Sequence, residues 1–330
     1  MGLGSFKTAW QRQTLRLGHE KAATYSVLLI DNRGMGDSDK PLLRYSTSEM
    51  ARDVLEVLEH PTVGFLAAPP GGRRLHVVGI SMGGMIAQEL AVLVPGRLST
   101  LTLSSTAASV EHTGTFMEKV AARASLVVPR GPEASVRLTA AQNFSAAWMA
   151  RPDDVHLPRA GTPGVRMPKR RAAAAAAVAA DGDGGGGGGE EREVDAEEEE
   201  EEEEEGYRRF DSNYQRFVAQ EMHKRLDTAR FSLKGFLCQL VAAGWHHKSP
   251  EQLRAMADLV GRERIMVVHG TEDGMINVVL GRRLIEYVQP GVSHILEGKG
   301  HALPLEMWEW FNDTLEERFR LGEKLDGRLE

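Results

Sequence analysis

Residues 75–95 constrain the fold more than any other stretch. The chain passes from a continuous apolar run, LHVVGI, through Gly79-Ile80-Ser81-Met82-Gly83 into GMIAQELAVLVPG, an apolar helix pattern stopped by Pro95. A six-residue run with no polar alternation suits a strand buried on both faces, as in a parallel sheet. The G-x-S-x-G spacing suits a sharp strand-to-helix turn that lifts the serine above the sheet. Glycine is needed at 79 and 83 because a side chain there would collide with whatever packs against the turn.

Four further runs have the same character: YSVLLI at 25–30, STLTLS at 99–104, RIMVVH at 264–269 and VSHIL at 292–296. Helix patterns lie between them. Ser46-Thr47-Ser48-Glu49 reads as a capping box opening an amphipathic stretch to His60, and Ser249-Pro250-Glu251-Gln252 opens another with proline at the first helical position. Strands alternating with helices predict a doubly wound α/β fold with a mostly parallel sheet. From 107 to 261 the strand signal lapses and helix-prone sequence takes over. This predicts a core in two parts, 1–106 and 262–330, separated by a helical cap region. Within the cap, residues 152–206 carry six alanines (172–177), six glycines (184–189) and nine glutamates (197–205), a composition expected to be a disordered insertion.

The net charge of −7 is set by that insertion, since residues 190–205 hold thirteen acidic side chains against Arg192 and leave the rest of the chain near +5. A scattered surplus of that size gives no basis for nucleic-acid binding, and Lys169-Arg170-Arg171 reads as part of a solvated linker. Cys238 is the lone cysteine, and neither it nor the histidines show metal-ligand spacing. His246-His247 reads as a helix end, because adjacent residues do not face one ligand on a helix. No run of about 18 apolar residues and no basic-then-apolar start is present, so a cytoplasmic chain without a membrane span is expected. The oligomeric state is left open.

Several separated motifs resemble the α/β-hydrolase superfamily, in its order. Asp31-Asn32-Arg33-Gly34-Met35-Gly36-Asp37-Ser38-Asp39-Lys40-Pro41 resembles its D-x-R-G-x-G-x-S-x-x-P loop, and the serine elbow comes next. Val267-Val268-His269-Gly270-Thr271-Glu272-Asp273 resembles the strand and loop that carry the acid, and Glu297-Gly298-Lys299-Gly300-His301 the loop that carries the histidine. The resemblance implies a triad of Ser81, His301 and Asp273, in which the imidazole takes the serine proton and the carboxylate holds the imidazole tautomer. Glu272 is the neighbouring alternative to Asp273, and the G-x-x-D register selects Asp273. The oxyanion donors implied are the N–H of Met82 and that of Leu3, in a loop Met1-Gly2-Leu3-Gly4-Ser5 where Met1 stands at a position commonly histidine.

The same resemblance marks a departure. In the family three strands precede that loop, and the third lies between the strand expected at 25–30 and the one at 75–80. The expectation is a shortened chain with a gap in its sheet and a frayed segment around Leu3, the alternative being that the two strands pair directly with an altered geometry. The activity implied is hydrolysis of an ester, thioester or related acyl bond in a small-molecule substrate, with no cofactor and no metal. Acyl transfer with the same triad and a non-catalytic remnant are the alternatives. Phe144, Trp148, Met149, Phe231 and Phe236 read either as an acyl pocket or as ordinary cap packing.

Overall fold

The computed structural model describes residues 1–66, 72–110, 131–153 and 210–330. After a leading helical segment (Lys7–Trp10, Gln11–Gln13 and Thr14–Glu20) come α1 (Thr47–Glu59), β1 (Leu75–Ile80), α2 (Met82–Leu93) and β2 (Leu98–Ser104). Next are α3 (Pro132–Asn143), α4 (Ala146–Met149), α5 (Asn213–Leu226), α6 (Leu233–Gly244) and α7 (Pro250–Val260). The chain then returns to the sheet with β3 (Ile265–Gly270), α8 (Val278–Val288), β4 (Val292–Leu296), α9 (Leu303–Glu306) and α10 (Trp308–Leu325). Residues 154–206 of the expected insertion, with its basic cluster, lie outside the described residues.

The four strands pair in parallel in the order β1-β2-β3-β4, on four of the five apolar runs of the sequence. Both faces are covered. Ile265 and Val267 pack with Leu101, Leu103 and the apolar faces of α7 and α8, whereas Met266 and Val268 pack with Phe311, Leu315 and Phe319 of α10. Alternate residues of one strand thus feed two separate cores, which is why residues 265–268 carry no polar position.

Residues 25–30 are the exception. They take no regular secondary structure and have no ladder partner, so the strand expected there is not formed. Tyr25 and Leu29 still pack into the Phe319 core, and Leu28 packs beside Leu58 and Leu75. A continuous apolar run is enough to send side chains to both layers, but a strand also needs a neighbour's N–H and C=O groups, and no described residues supply them there.

The helix starts are set by local chemistry. Ser249 and Gln252 cap each other reciprocally at α7. At α1 only half of the expected box forms: Ser46 Oγ accepts Glu49 N–H, and the Glu49 carboxylate takes the Ser46 hydroxyl proton instead of a backbone N–H. His246, just beyond α6, is buried between Thr47 Oγ1 (2.9 Å) and Gln88 Oε1 (3.4 Å). Burial, helped by the positive charge of Lys248 and His247, pushes its pKa down to about 3. Glu89 approaches within 3.8 Å but is held by Lys248 at 2.6 Å. The folded state therefore keeps this ring neutral, and stability is complete above the ordinary histidine value. It is lost as pH falls from there towards about 3, by up to about 1.4 kcal/mol per pH unit. His246→Gln should flatten the fall in melting temperature between pH 6.5 and pH 4 (roughly the span where an unfolded histidine gains its proton); an unchanged slope would assign it to other groups.

Candidate active site

Ser81 ends β1 and caps α2 with φ +57° and ψ −126°, a backbone conformation that L-residues rarely adopt and that persists only where the surroundings impose it. The imposition comes from β2 and the turn after it. Ser81 N–H donates to Ser104 O (3.0 Å), and Ser81 C=O accepts Gly84 N–H (2.9 Å), Met85 N–H (3.2 Å) and Thr106 Oγ1–H (2.7 Å). A Cβ on Gly79 would stand 2.4 Å from Gly83 O, and one on Gly83 would stand 2.7 Å from the Met1 backbone. The collision expected at 79 is thus with the helix, whereas at 83 it is with the leading loop. Ser81 Oγ makes no hydrogen bond among the described residues.

The leading loop is held against this elbow. A Cβ on Gly2 would lie 3.9 Å from Ser81 Oγ. Asn32 Nδ2 donates to Met1 O (3.1 Å), Ser5 N–H to Gly2 O (3.3 Å), Gly4 N–H to Gln239 Oε1 (2.9 Å) and Lys7 N–H to Asp31 Oδ1 (2.6 Å). The frayed segment expected around Leu3 is therefore replaced by a loop with a bond at almost every peptide. Neither Leu3 N–H nor Met82 N–H has an acceptor among the described residues.

The loop from Asp31 to Ser38 serves as the frame. Asp31 is buried, with Oδ2 accepting Asp37 N–H (3.0 Å) and its carbonyl accepting Ser38 Oγ–H (2.6 Å). Gly36 has φ +58°, and a Cβ there would fall 2.2 Å from the Asp31 carboxyl, so this turn tolerates only glycine. Gly34, at φ +90°, packs on Gly235 of α6, and Arg33 pairs with Asp53 (2.6 Å) on α1. These residues brace the loops around the candidate site, and among the described residues none of them bonds Ser81, Asp273 or His301.

Asp273 and His301 are brought together. His301 Nδ1 donates to Asp273 Oδ2 (2.7 Å), and both side chains are buried. Asp273 Oδ1 accepts Met275 N–H (2.8 Å) and Ile276 N–H (2.7 Å). Burial alone would raise the carboxyl pKa. The charge of His301 and the hydrogen bonds from His269 and His301 outweigh it and hold the group at about 2. Glu272 is exposed and touches this site only through its backbone, which bonds Lys299 O (2.8 Å). Ser81, Asp273 and His301 all lie just past the carboxyl ends of parallel strands, so the topology gathers them at one edge of the sheet. No Oγ-to-imidazole hydrogen bond closes the set, which is common before substrate is bound.

His269 and Glu306 are among the residues that sequence reasoning missed. His269 is fully buried, and its Nε2 lies 2.8 Å from Ile276 O and 3.1 Å from Asp273 Oδ2. Its position four residues before Asp273 was the available signal. Glu306 is also buried and accepts Gly300 N–H (2.9 Å) and Ser145 Oγ–H (2.6 Å), tying the histidine loop to the cap; nothing in its sequence setting marks it. The five aromatic and methionine candidates divide. Phe144 stacks on Trp148 (4.2 Å between ring centres) in a cluster with Met149, Phe217 and Ala302, while Phe236 lies over Gly4 and beside Phe231.

Residues 2–314 match the model of a family described as the alpha/beta hydrolase family. RutD of Azorhizobium caulinodans, whose name describes a candidate carbamate hydrolase, is 31% identical over 149 residues, 45% of this chain and 51% of that protein. The 3-oxoadipate enol-lactonase 2 of Acinetobacter baylyi is 29% identical over 147 residues, 44% of this chain and 49% of that protein. The chain spans about half the length of the curated relatives it matches. The solved enol-lactonase of Burkholderia xenovorans LB400 shares the fold at a TM-score of 0.58 and 18% identity, covering 97% of this chain and 88% of that one.

Proposed function

The chain belongs to the alpha/beta hydrolase family, and from that premise we propose that it is a serine hydrolase cleaving an ester, thioester or related acyl bond through an acyl-enzyme on Ser81. The observation that carries the reading is a strained elbow serine, whose hydroxyl has no partner among the described residues, at the same sheet edge as a buried His301–Asp273 pair. Ser81 Oγ attacks the acyl carbon while His301 Nε2 takes its proton, and Asp273 holds the imidazole by Nδ1 and stabilises its charged form. The oxyanion that develops accepts the N–H groups of Leu3 and Met82, which have no acceptor among the described residues. His301 returns the proton to the leaving group, and water then repeats the sequence to release the acid. The described helices α3 to α6, between β2 and β3, are read as a cap whose apolar side chains meet the substrate. The relatives' names, an enol-lactonase and a candidate carbamate hydrolase, are consistent with small carbonyl substrates.

A fluorophosphonate probe tests the reading directly. One label per chain, mapped by mass spectrometry to the peptide containing Ser81, is the expected result. Labelling elsewhere would move the nucleophile away from Ser81, and no labelling in a protein that unfolds cooperatively would exclude an activated serine.

A further inference from the structure

We infer that Gln239, on cap helix α6, is a positioning residue that holds the oxyanion loop in its working conformation. The inference rests on the serine-hydrolase reading. Gln239 is fully buried, and each end of its amide is used: Oε1 accepts Gly4 N–H at 2.9 Å, and Nε2 donates to Arg33 C=O at 2.9 Å. A backbone N–H can only donate and a carbonyl can only accept, so the amide has one orientation. One side chain therefore joins the loop that carries Leu3 to the loop framed by Asp31.

The sequence explains how it arrives there. Ser232 caps α6 by accepting Gly235 N–H (3.1 Å), and Gly235 then meets Gly34 backbone to backbone, where a Cβ would stand 2.1 Å from Gly34 O. Gln239 is four residues further along, hence one turn up the same face. The docking of α6 does not depend on it. Arg230, just before the helix, pairs with Asp37 (2.7 Å), Arg230 O accepts Gly36 N–H (3.0 Å), and Cys238, Ala242 and Ala243 pack into the core beside Met50 and Ile86. An apolar side chain could fill the space at 239 but would leave Gly4 N–H and Arg33 C=O without these partners, so the amide serves the two backbone groups rather than the packing.

What the amide does is set a peptide plane. Ser5 N–H bonds Gly2 O, so Leu3 and Gly4 are the central residues of a turn, and Gly4 has the positive φ (+64°) that the second central position of a type II turn requires. The central peptide, Leu3 C=O with Gly4 N–H, is the unit that rotates when such turns change type. Gln239 Oε1 holds that N–H, while Asn32 holds Met1 C=O on the other side. The Leu3 N–H between them is left without a partner among the described residues and fixed in direction, which is what an oxyanion donor requires.

The test uses the full chain with 4-nitrophenyl acetate as probe substrate, active sites being counted by fluorophosphonate titration. Gln239→Met should lower kcat per titrated site by about tenfold to a hundredfold with KM nearly unchanged, because the lost contact matters where charge develops. The dissociation constant of a trifluoromethyl ketone, which forms the tetrahedral oxyanion, should weaken by the same factor. Gln239→Glu keeps an acceptor for Gly4 N–H and, protonated in that buried position, a donor for Arg33 C=O, and should restore most of both quantities; if the methionine variant does not fold, Gln239→Asn, whose amide is one methylene too short to reach Gly4 N–H, takes its place with the same expected losses. Unchanged kcat per site in the methionine or asparagine variant, or a fall in kcat without weaker ketone binding, overturns the proposal while leaving Ser81 catalysis standing. A wild-type chain that neither reacts with the phosphonate nor turns over the ester would instead fell the hydrolase reading, and this inference with it.

Discussion

Ser81→Ala is expected to lower kcat by roughly a hundred-thousandfold while changing stability by less than about 0.5 kcal/mol, the range of substitutions that disturb no packing or buried bond. The two halves of this expectation come from one geometry. Ser81 Oγ accepts and donates nothing among the described residues, so removing it breaks no bond, whereas the backbone groups that hold the elbow, Ser81 N–H and C=O, are untouched. The strain at φ +57° stays, because alanine keeps the Cβ that makes this conformation costly. Ser81→Gly removes it and should melt higher than wild type, by about 1 kcal/mol of added stability, and be equally inactive. Turnover of 4-nitrophenyl acetate beside melting curves for the three proteins checks both points. An alanine variant that retains more than about one per cent of kcat would mean that another group attacks, since the whole covalent route depends on this oxygen.

The elbow was legible because its requirements are local. A buried strand, two small residues at fixed offsets and a helix stopped by proline lie within about twenty residues, and each is enforced by sterics at short range. The acid and histidine loops were legible for the same reason: each comes directly after a run that forms a strand. What stayed hidden depends on contacts across long separations. Gln239 meets Gly4 and Glu306 meets Ser145, at separations of 235 and 161 residues, and no local pattern predicts either. Residues 25–30 failed in the opposite sense. Their apolar run reports contact with two layers, as Leu28 and Leu29 show, although both are only half-buried and Val27 is exposed; pairing depends on the neighbouring backbone, which a local pattern does not contain.

Asp273→Asn should cost close to the same order as losing the serine, about ten-thousandfold in kcat, and Glu272→Gln should leave kcat within about threefold of wild type. The hydrogen-bond geometry dictates the first value. Met275 N–H and Ile276 N–H both point at Oδ1 and need an acceptor, so the carboxamide oxygen must take that place. The NH2 group is then directed at His301 Nδ1, 2.7 Å from the present Oδ2, and towards His269 Nε2 at 3.1 Å. His301 can keep the contact only by accepting at Nδ1, which moves its proton to Nε2, the nitrogen that the proposed mechanism needs empty to receive the Ser81 proton. The base is thereby held in the wrong tautomer with the fold nearly intact. Glu272 has no such leverage, because its exposed side chain can be neutralised without changing the backbone bond it makes to Lys299. In the native protein Asp273, held at about 2, stays ionised over the whole working range, so it should contribute no acid limb of its own to the pH profile above about pH 4, two units over that value. Steady-state kinetics of both variants, with active sites counted by titration, decide between the two carboxylates. A Glu272→Gln loss larger than that of Asp273→Asn would move the acid by one residue and undo the tautomer argument.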